Sequence, residues 1–312
     1  LSICSLITVQ SSAQQRSQQW ADSVYNTLSL EQRIGQLFMV AAYSGTDKYN
    51  EKEIKALIKN QGIGGLIFMQ GTAAKQAELT NKYQRLSKIP LLISMDAETG
   101  LGFRHKKTAI SFPKQLTLGA INDNTAIYDM GEKIAYHLDR IGVNVNFAPV
   151  VDVNNNPGNP VIHSRSFGED IFNVATKSYA YSKGMQDNGI IACAKHFPGH
   201  GDTDVDSHYD LPVIKHSRQR LDSLELMPFR VLSQLGIKSI MTAHMSVPAI
   251  DDAPNRPTSL SKKAINDLLI EDMNYEGLVV TDALEMQGVA KNYKTGDMEI
   301  EALKAGNDIL LL

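Results

Sequence analysis

A chain of 312 residues, 43% apolar and 21% charged, has the make-up of a soluble globular protein with a sizeable core, in one large domain or two ordinary ones. Its net charge of -3, without any run of Lys and Arg, excludes nucleic acid or an anionic membrane as the main partner. A small, uncharged or weakly charged ligand fits better.

The chain opens on a short apolar run, Leu1 to Val9, followed by Ser11-Ser12-Ala13, with small residues where a signal peptidase would cut before Gln14. Residues 1–13 therefore read as the remnant of a secretory signal peptide, on a chain that starts inside a longer precursor. A periplasmic or secreted protein is expected. Ile3 is a poor residue to precede a lipidated Cys4, so lipoprotein anchoring is not expected. After processing only Cys193 remains, which leaves no intrachain disulfide. No later run reaches the roughly 18 apolar residues of a membrane span.

Residues 14–35 form an N-terminal helical segment. Its periodic part runs from Gln18 to Gln36, with Ser29 placed to cap Glu31-Gln32, as a helix closing a barrel floor would. Eight apolar runs follow: Gln36–Ala42, Gly65–Met69, Leu91–Asp96, Asn144–Pro149, Ile190–His196, Ser239–His244, Gly277–Asp282 and Asp308–Leu312. Between most of them lie segments of helical period: Lys52–Lys59, Thr72–Leu86, Asp123–Ile141, Ile171–Asn188, Arg218–Leu235 and Lys262–Met273. Each ends near a stop signal such as Gln61-Gly62 or Asn188-Gly189.

Near-continuous apolar strands alternating with helices predict a parallel sheet covered by helices. Eight units over residues 36–312 predict an α/β fold of the (β/α)8 TIM-barrel type, the chain ending at the eighth strand. A further C-terminal domain is expected beyond that end. A dinucleotide fold is disfavoured, because Gly62-Ile-Gly-Gly65 precedes a strand instead of following one.

In such a barrel the active site lies where the strands end. The polar residues there are Asp96 and Glu98, Asn146 and Asp152, Lys195 and His196, His244, and Asp282. Asp282 stands where a nucleophile or charge stabiliser belongs, although an aspartate capping the next helix would occupy the same position. Lys195 and His196 suit hydrogen bonding to substrate hydroxyls, and a core histidine bonded to backbone reads equally well.

The loop after strand five, Lys195-His-Phe-Pro-Gly-His-Gly-Asp-Thr-Asp-Val-Asp-Ser-His208, admits three readings. A metal could take His196, His200 and His208 with Asp202 or Asp206, but His200 sits in Pro-Gly-His-Gly, which is shaped for a turn, and no metal is expected. A proton relay takes Asp206 to orient His208 and raise its basicity. The third reading is a plain polar loop.

This loop closely resembles the signature of the glycoside hydrolase family 3 β-N-acetylglucosaminidases. Further matches are Asp96-Ala-Glu98 with Arg104, Asn146-Phe-Ala-Pro-Val-Val-Asp152, Arg165-Ser-Phe-Gly-Glu-Asp170, Met241-Thr-Ala-His-Met245, Gly277-Leu-Val-Val-Thr-Asp282-Ala-Leu-Glu-Met286 and Ala302-Leu-Lys-Ala-Gly-Asn-Asp308. The resemblance implies a retaining exo-β-N-acetylglucosaminidase working through a covalent glycosyl-enzyme intermediate. Asp282 would be the nucleophile, and His208, paired with Asp206, the acid and then the base. Asp96, Arg104, Arg165, Lys195 and His196 would hold the hydroxyls and N-acetyl group of the sugar. The implied partners are carbohydrates, N-acetylglucosaminides or muropeptide fragments of peptidoglycan recycling, with no metal or organic cofactor. A family 3 phosphorylase, a β-glucosidase-like hydrolase and a non-catalytic glycan-binding module are the alternatives.

Two features depart from the family. Its usual Glu-Gly-Gly is here Glu98-Thr99-Gly100, and a threonine tolerates positive φ badly, so a reshaped turn and a displaced Arg104 are expected. The secretory start also contrasts with the cytoplasmic recycling enzymes of this type.

Overall fold

The computed structural model describes residues 16–45, 48–207, 209–291, 293–294 and 296–312. Residues 1–13, expected as a signal-peptide remnant, and His208 therefore lie outside the described residues.

Eight parallel strands appear in the order that the apolar runs predict: β1 (Phe38–Ser44), β2 (Gly65–Gly71), β3 (Leu92–Met95), β4 (Val145–Asn146), β5 (Ile191–Phe197), β6 (Ser239–Thr242), β7 (Leu278–Thr281) and β8 (Leu310–Leu311). Each pairs with its neighbour in sequence, and β8 lies against β1. A bridge between Val280 and Ile309 brings β7 to β8 and completes the (β/α)8 ring. Several ladders are shorter than their apolar runs, because the polar ends of those runs leave the sheet for the barrel mouth.

Two cores follow from the pleat. Met39, Ile67, Val145, Phe147, Cys193, Met241, Val280 and Leu311 point inward and fill the barrel. Here β3 supplies Ser94, whose hydroxyl lies 2.9 Å from the Met39 sulfur and 3.3 Å from the Leu66 carbonyl oxygen. Alternate residues such as Leu66 and Phe68 point outward, into a layer shared with Leu79 and Tyr83 of the helix Ala73–Leu86.

The helices begin where their caps dictate. Asp123 accepts from the Thr125 amide at 2.8 Å to start Asn124–Asp139, and Asp170 accepts from the Asn173 amide at 2.7 Å to start Ile171–Asp187. Two helical expectations need correction. The segment from Gln18 to Gln36 is two helices, 16–26 and Leu30–Gly35, divided where Ser29 makes the expected capping box with Gln32. Only the second meets the barrel floor, where Gln36 Nε2 donates to the Gly62 carbonyl at 2.7 Å. The span Arg218–Leu235 is also two helices, Arg218–Ser223 and Met227–Gln234. Pro228 has no N–H and opens the second helix, so the chain breaks at residues 224–226 and buries Glu225 there. Among the described residues no helix is long and apolar enough to cross a membrane.

The helices Asn124–Asp139 and Ile171–Asp187 approach backbone to backbone at two glycines. A Cβ on Gly184 would lie 2.2 Å from the Tyr128 carbonyl oxygen, and one on Gly131 would lie 2.5 Å from that of Tyr181. Alanine gains roughly 1 kcal/mol over glycine in helix propensity, whereas overpacking costs about 1–3 kcal/mol. The obstacle is backbone and cannot rotate aside, so the overpacking cost falls at the upper end of that range and Gly184→Ala is expected to be destabilising by up to about 2 kcal/mol net. A lower urea midpoint at unchanged slope would register it; an unchanged or higher midpoint would show that the contact is not tight.

Candidate active site

The C-terminal mouth of the barrel holds a cavity of about 450 Å³ lined by Asp96, Glu98, Phe103, Arg104, Val161, Arg165, Lys195, His196, His200, Ser207 and Asp282, over an apolar floor that includes Ile67, Met69, Met241 and Leu311. That is the size of a small-molecule site. A wider cleft of about 920 Å³ shares Glu98, Phe103, Arg104 and Arg165 with it.

Charge pairing organises the wall. Lys195 is buried on β5 and its Nζ lies 2.8 Å from Asp96 Oδ1 and 2.9 Å from Glu98 Oε1. Arg104 Nη2 donates to Asp96 Oδ2. Arg165 grips Glu98 with both arms, Nη2 to Oε1 at 2.7 Å and Nε to Oε2 at 3.1 Å. Burial alone would raise the pKa of both carboxyls, but Lys195 and Arg104 hold Asp96 far below the usual range, and Lys195 and Arg165 bring Glu98 down to about 2. Burial likewise works against charge on Lys195 and Arg165, and Asp96 and Glu98 raise both.

His196 continues the chain of contacts. Arg165 Nη2 lies 3.3 Å from its Nε2, and a guanidinium only donates, so Nε2 accepts and Nδ1–H is left to donate to Asp152 Oδ2 at 2.7 Å. Asp152 also accepts from the amides of His196 at 3.2 Å and His200 at 2.6 Å. A register shift between Lys195 and Phe197 in the β5–β6 ladder lets the consecutive Lys195 and His196 both face the cavity.

Asp282 leaves the end of β7, its amide bonded to the Thr242 carbonyl at 2.9 Å and its Oδ1 accepting from the Ala283 amide at 2.8 Å. It is partly exposed to the cavity, and among the described residues it forms no ion pair. Its depth raises its pKa, but the His196 and His244 imidazoles, the Ala283 amide and Lys195 outweigh that effect, so its pKa lies below the usual value and the group is ionised near neutral pH.

The cavity thus gathers Asp96, Arg104, Arg165, Lys195, His196 and Asp282 from among the predicted site residues. Asp206 is described, lies outside that lining and engages a partner; His208 lies outside the described residues. The expected displacement of Arg104 does not occur. The positive φ falls on Gly100, at 80°, and Thr99 is not in the left-handed region, so the turn accepts a threonine and Arg104 still reaches Asp96.

Two residues pooled from the sequence serve from behind the wall. The Asn146 carboxamide pairs with both backbone groups of Ala97, at 2.9 and 3.3 Å, and so fixes the turn carrying Asp96 and Glu98. His244 accepts from Ser259 Oγ at 2.7 Å and donates to the Ala283 carbonyl at 2.9 Å, which braces the backbone beside Asp282. Glu98 and Asp152 hold Arg165, Lys195 and His196 in place, a role that the sequence signalled only by their position after strands three and four. His200 is a brace as well as a turn residue. It is buried between Thr203 Oγ1 at 2.7 Å and Ser207 Oγ at 3.1 Å, and burial, then the neighbouring His196, lowers its pKa to about 4.

Residues 29–312 match the glycosyl hydrolase family 3 N-terminal domain. The chain is 37% identical over 282 residues to a beta-hexosaminidase A of Pseudoalteromonas piscicida, covering 83% of this chain and 47% of that protein. It is 32% identical over 272 residues to a beta-hexosaminidase of Neisseria meningitidis serogroup C (strain 053442), covering 84% of this chain and 74% of that one. A solved family 3 beta-N-acetylglucosaminidase from Paenibacillus sp. str. FPU-7 superposes with a TM-score of 0.83 at 38% identity, over 91% of this chain and 55% of that one. The chain therefore spans about half the length of two of these relatives.

The Glu98 pairings carry a pH signature. A carboxyl whose folded pKa is depressed contributes stability above its unfolded pKa and loses it as pH falls towards the folded value. For Glu98 that window runs from 4.5 down to about 2. Glu98→Gln is expected to be destabilising by about 3 kcal/mol at neutral pH, because it leaves buried cations short of a partner. The variant should also show a shallower loss of stability on acidification across that window. Unfolding curves for both proteins at pH 7, 4 and 3 check this; parallel pH profiles would refute the assignment.

Proposed function

We propose that this chain, which belongs to glycoside hydrolase family 3, carries the catalytic barrel of a retaining exo-β-N-acetylglucosaminidase that removes terminal β-linked N-acetylglucosamine from peptidoglycan-derived or related saccharides. The observation that supports this best is the state of the three carboxylates in the cavity. Asp96 and Glu98 are bound to Arg104, Lys195 and Arg165, whereas Asp282 is ionised, faces the cavity and forms no ion pair among the described residues. The names of the relatives point to the same sugar.

In this reading Asp282 attacks the anomeric carbon as the glycosidic C–O bond breaks, and His208 gives its proton to the departing oxygen. His208 then takes a proton from water, whose oxygen displaces Asp282 and releases the sugar with its anomeric configuration retained. Asp206 would hold the imidazole in position. Asp96 accepts from hydroxyls while Arg104, Arg165 and Lys195 donate to oxygens without competing as nucleophiles, and His196 borders the sugar beside Arg165. The signal-like residues 1–13 support a reading of the enzyme as periplasmic or secreted, where it would meet cell-wall fragments.

Asp282→Ala is expected to lose at least about 10³-fold in kcat on an aryl N-acetyl-β-glucosaminide. His208→Ala is expected to lose about 10²–10⁴-fold, more with a poorly departing alkyl aglycone than with a nitrophenyl one. Near-wild-type turnover in either variant would refute the corresponding role. Faster turnover on adding phosphate, with formation of sugar 1-phosphate, would identify a phosphorylase instead.

A further inference from the structure

We propose that Asp202, His216 and Glu225 form a divalent-cation site, suited to zinc, that ties together the two ends of the loop between β5 and the helix Arg218–Ser223. The ligand atoms of the three residues all lie within 4.8 Å of one another. Ligands sharing one tetrahedral zinc at about 2.0–2.2 Å lie roughly 3.3–3.6 Å apart, so side-chain rotations that bring the ligand atoms about an ångström closer complete the set. Two carboxylates and an imidazole are donors that zinc accepts.

An independent observation comes from Glu225. The helix break at residues 224–226 leaves it 3% exposed, and among the described residues its Oε2 has no hydrogen-bond partner. A buried carboxylate oxygen without a donor is costly, and a cation removes that cost. The other oxygen is poorly served. Arg220 Nη2 lies 3.4 Å from Oε1, a long contact for a charged pair. The Asn155 carboxamide is best satisfied with its nitrogen on the Val153 carbonyl at 3.0 Å and its oxygen on Arg220 Nη2 at 2.6 Å, so it gives no proton to either carboxylate.

The remaining pair is already assembled, with His216 Nε2 2.6 Å from Asp202 Oδ2. Their side chains are 37% and 23% exposed and border a surface cleft of about 440 Å³, which gives an ion and its waters access. The cluster lies apart from the sugar cavity, whose lining contains none of the three residues. It also differs from the histidine set weighed in the sequence, sharing only Asp202 with it. Asp202 and His216 bracket Asp206 and His208, so a bound cation would shorten the free length of the loop that carries the proposed acid and base.

Protein freed of metal with a chelator and titrated with zinc chloride, by calorimetry and thermal unfolding, tests this. Wild type should bind one equivalent, and Tm should rise by roughly 5 °C or more at a hundredfold excess over Kd. Glu225→Gln and His216→Ala should each weaken binding at least tenfold and remove the shift, while Asp282→Asn should keep both. Should Glu225→Gln fail to fold, the partly exposed His216 supplies the decisive variant. No binding to wild type, binding that survives both ligand substitutions, or binding lost in Asp282→Asn would each overturn the proposal.

Discussion

A single ammonium group, that of Lys195, sits between two carboxylates at the mouth of the barrel, and the wall of the cavity is built outward from it. A charge of that burial costs several kcal/mol unless paired, so the ends of β3 and β5 must arrive in register for any of the three groups to be tolerated. The requirement propagates. Glu98 has oxygen to spare for Arg165, Arg165 turns a nitrogen to His196, and His196 is steadied from behind by Asp152. What results is a mutually paired array of donors and acceptors on one wall of the cavity.

The same array explains why Asp282 stands out. Asp96 and Glu98 are paired with neighbouring cations, whereas among the described residues Asp282 forms no ion pair and is held ionised by the His196 and His244 imidazoles, the Ala283 amide and Lys195. It remains an ionised carboxylate with an uncommitted face. The cavity that it borders is also lined by the apolar side chains of Ile67, Met69, Met241 and Leu311.

The loop after β5 is divided mechanically. Its base is fixed, because Asp152 accepts the His200 amide and Asn159 donates to the carbonyls of His200 at 2.8 Å and Gly201 at 3.0 Å. His200 braces the loop internally through Thr203 and Ser207. Further out, Val205 and Tyr209 are exposed, so the segment carrying Asp206 has solvent on one side.

The alternation of apolar strand and periodic helix was enough to determine the eight-stranded barrel, because burial on both faces of a parallel strand demands a continuous apolar run. The barrel rule then located the polar run-ends, among them Asp96, Lys195, His196 and Asp282, on one rim. Local sequence could not show which rim residues face the cavity. Asn146 and His244 occupy the same kind of position as Lys195, yet they turn behind the wall to hold the backbone of Ala97 and Ala283. Nor could it show that Thr99 is tolerated beside Gly100, since that depends on which residue of the turn takes the positive φ. The meeting of Asp202, His216 and Glu225 was equally out of reach, because it requires a helix break at residues 224–226, ahead of Pro228, and the return of a long loop. Burial periodicity is a local property and is written along the chain, whereas pairing between buried polar groups is settled only when distant segments come into contact.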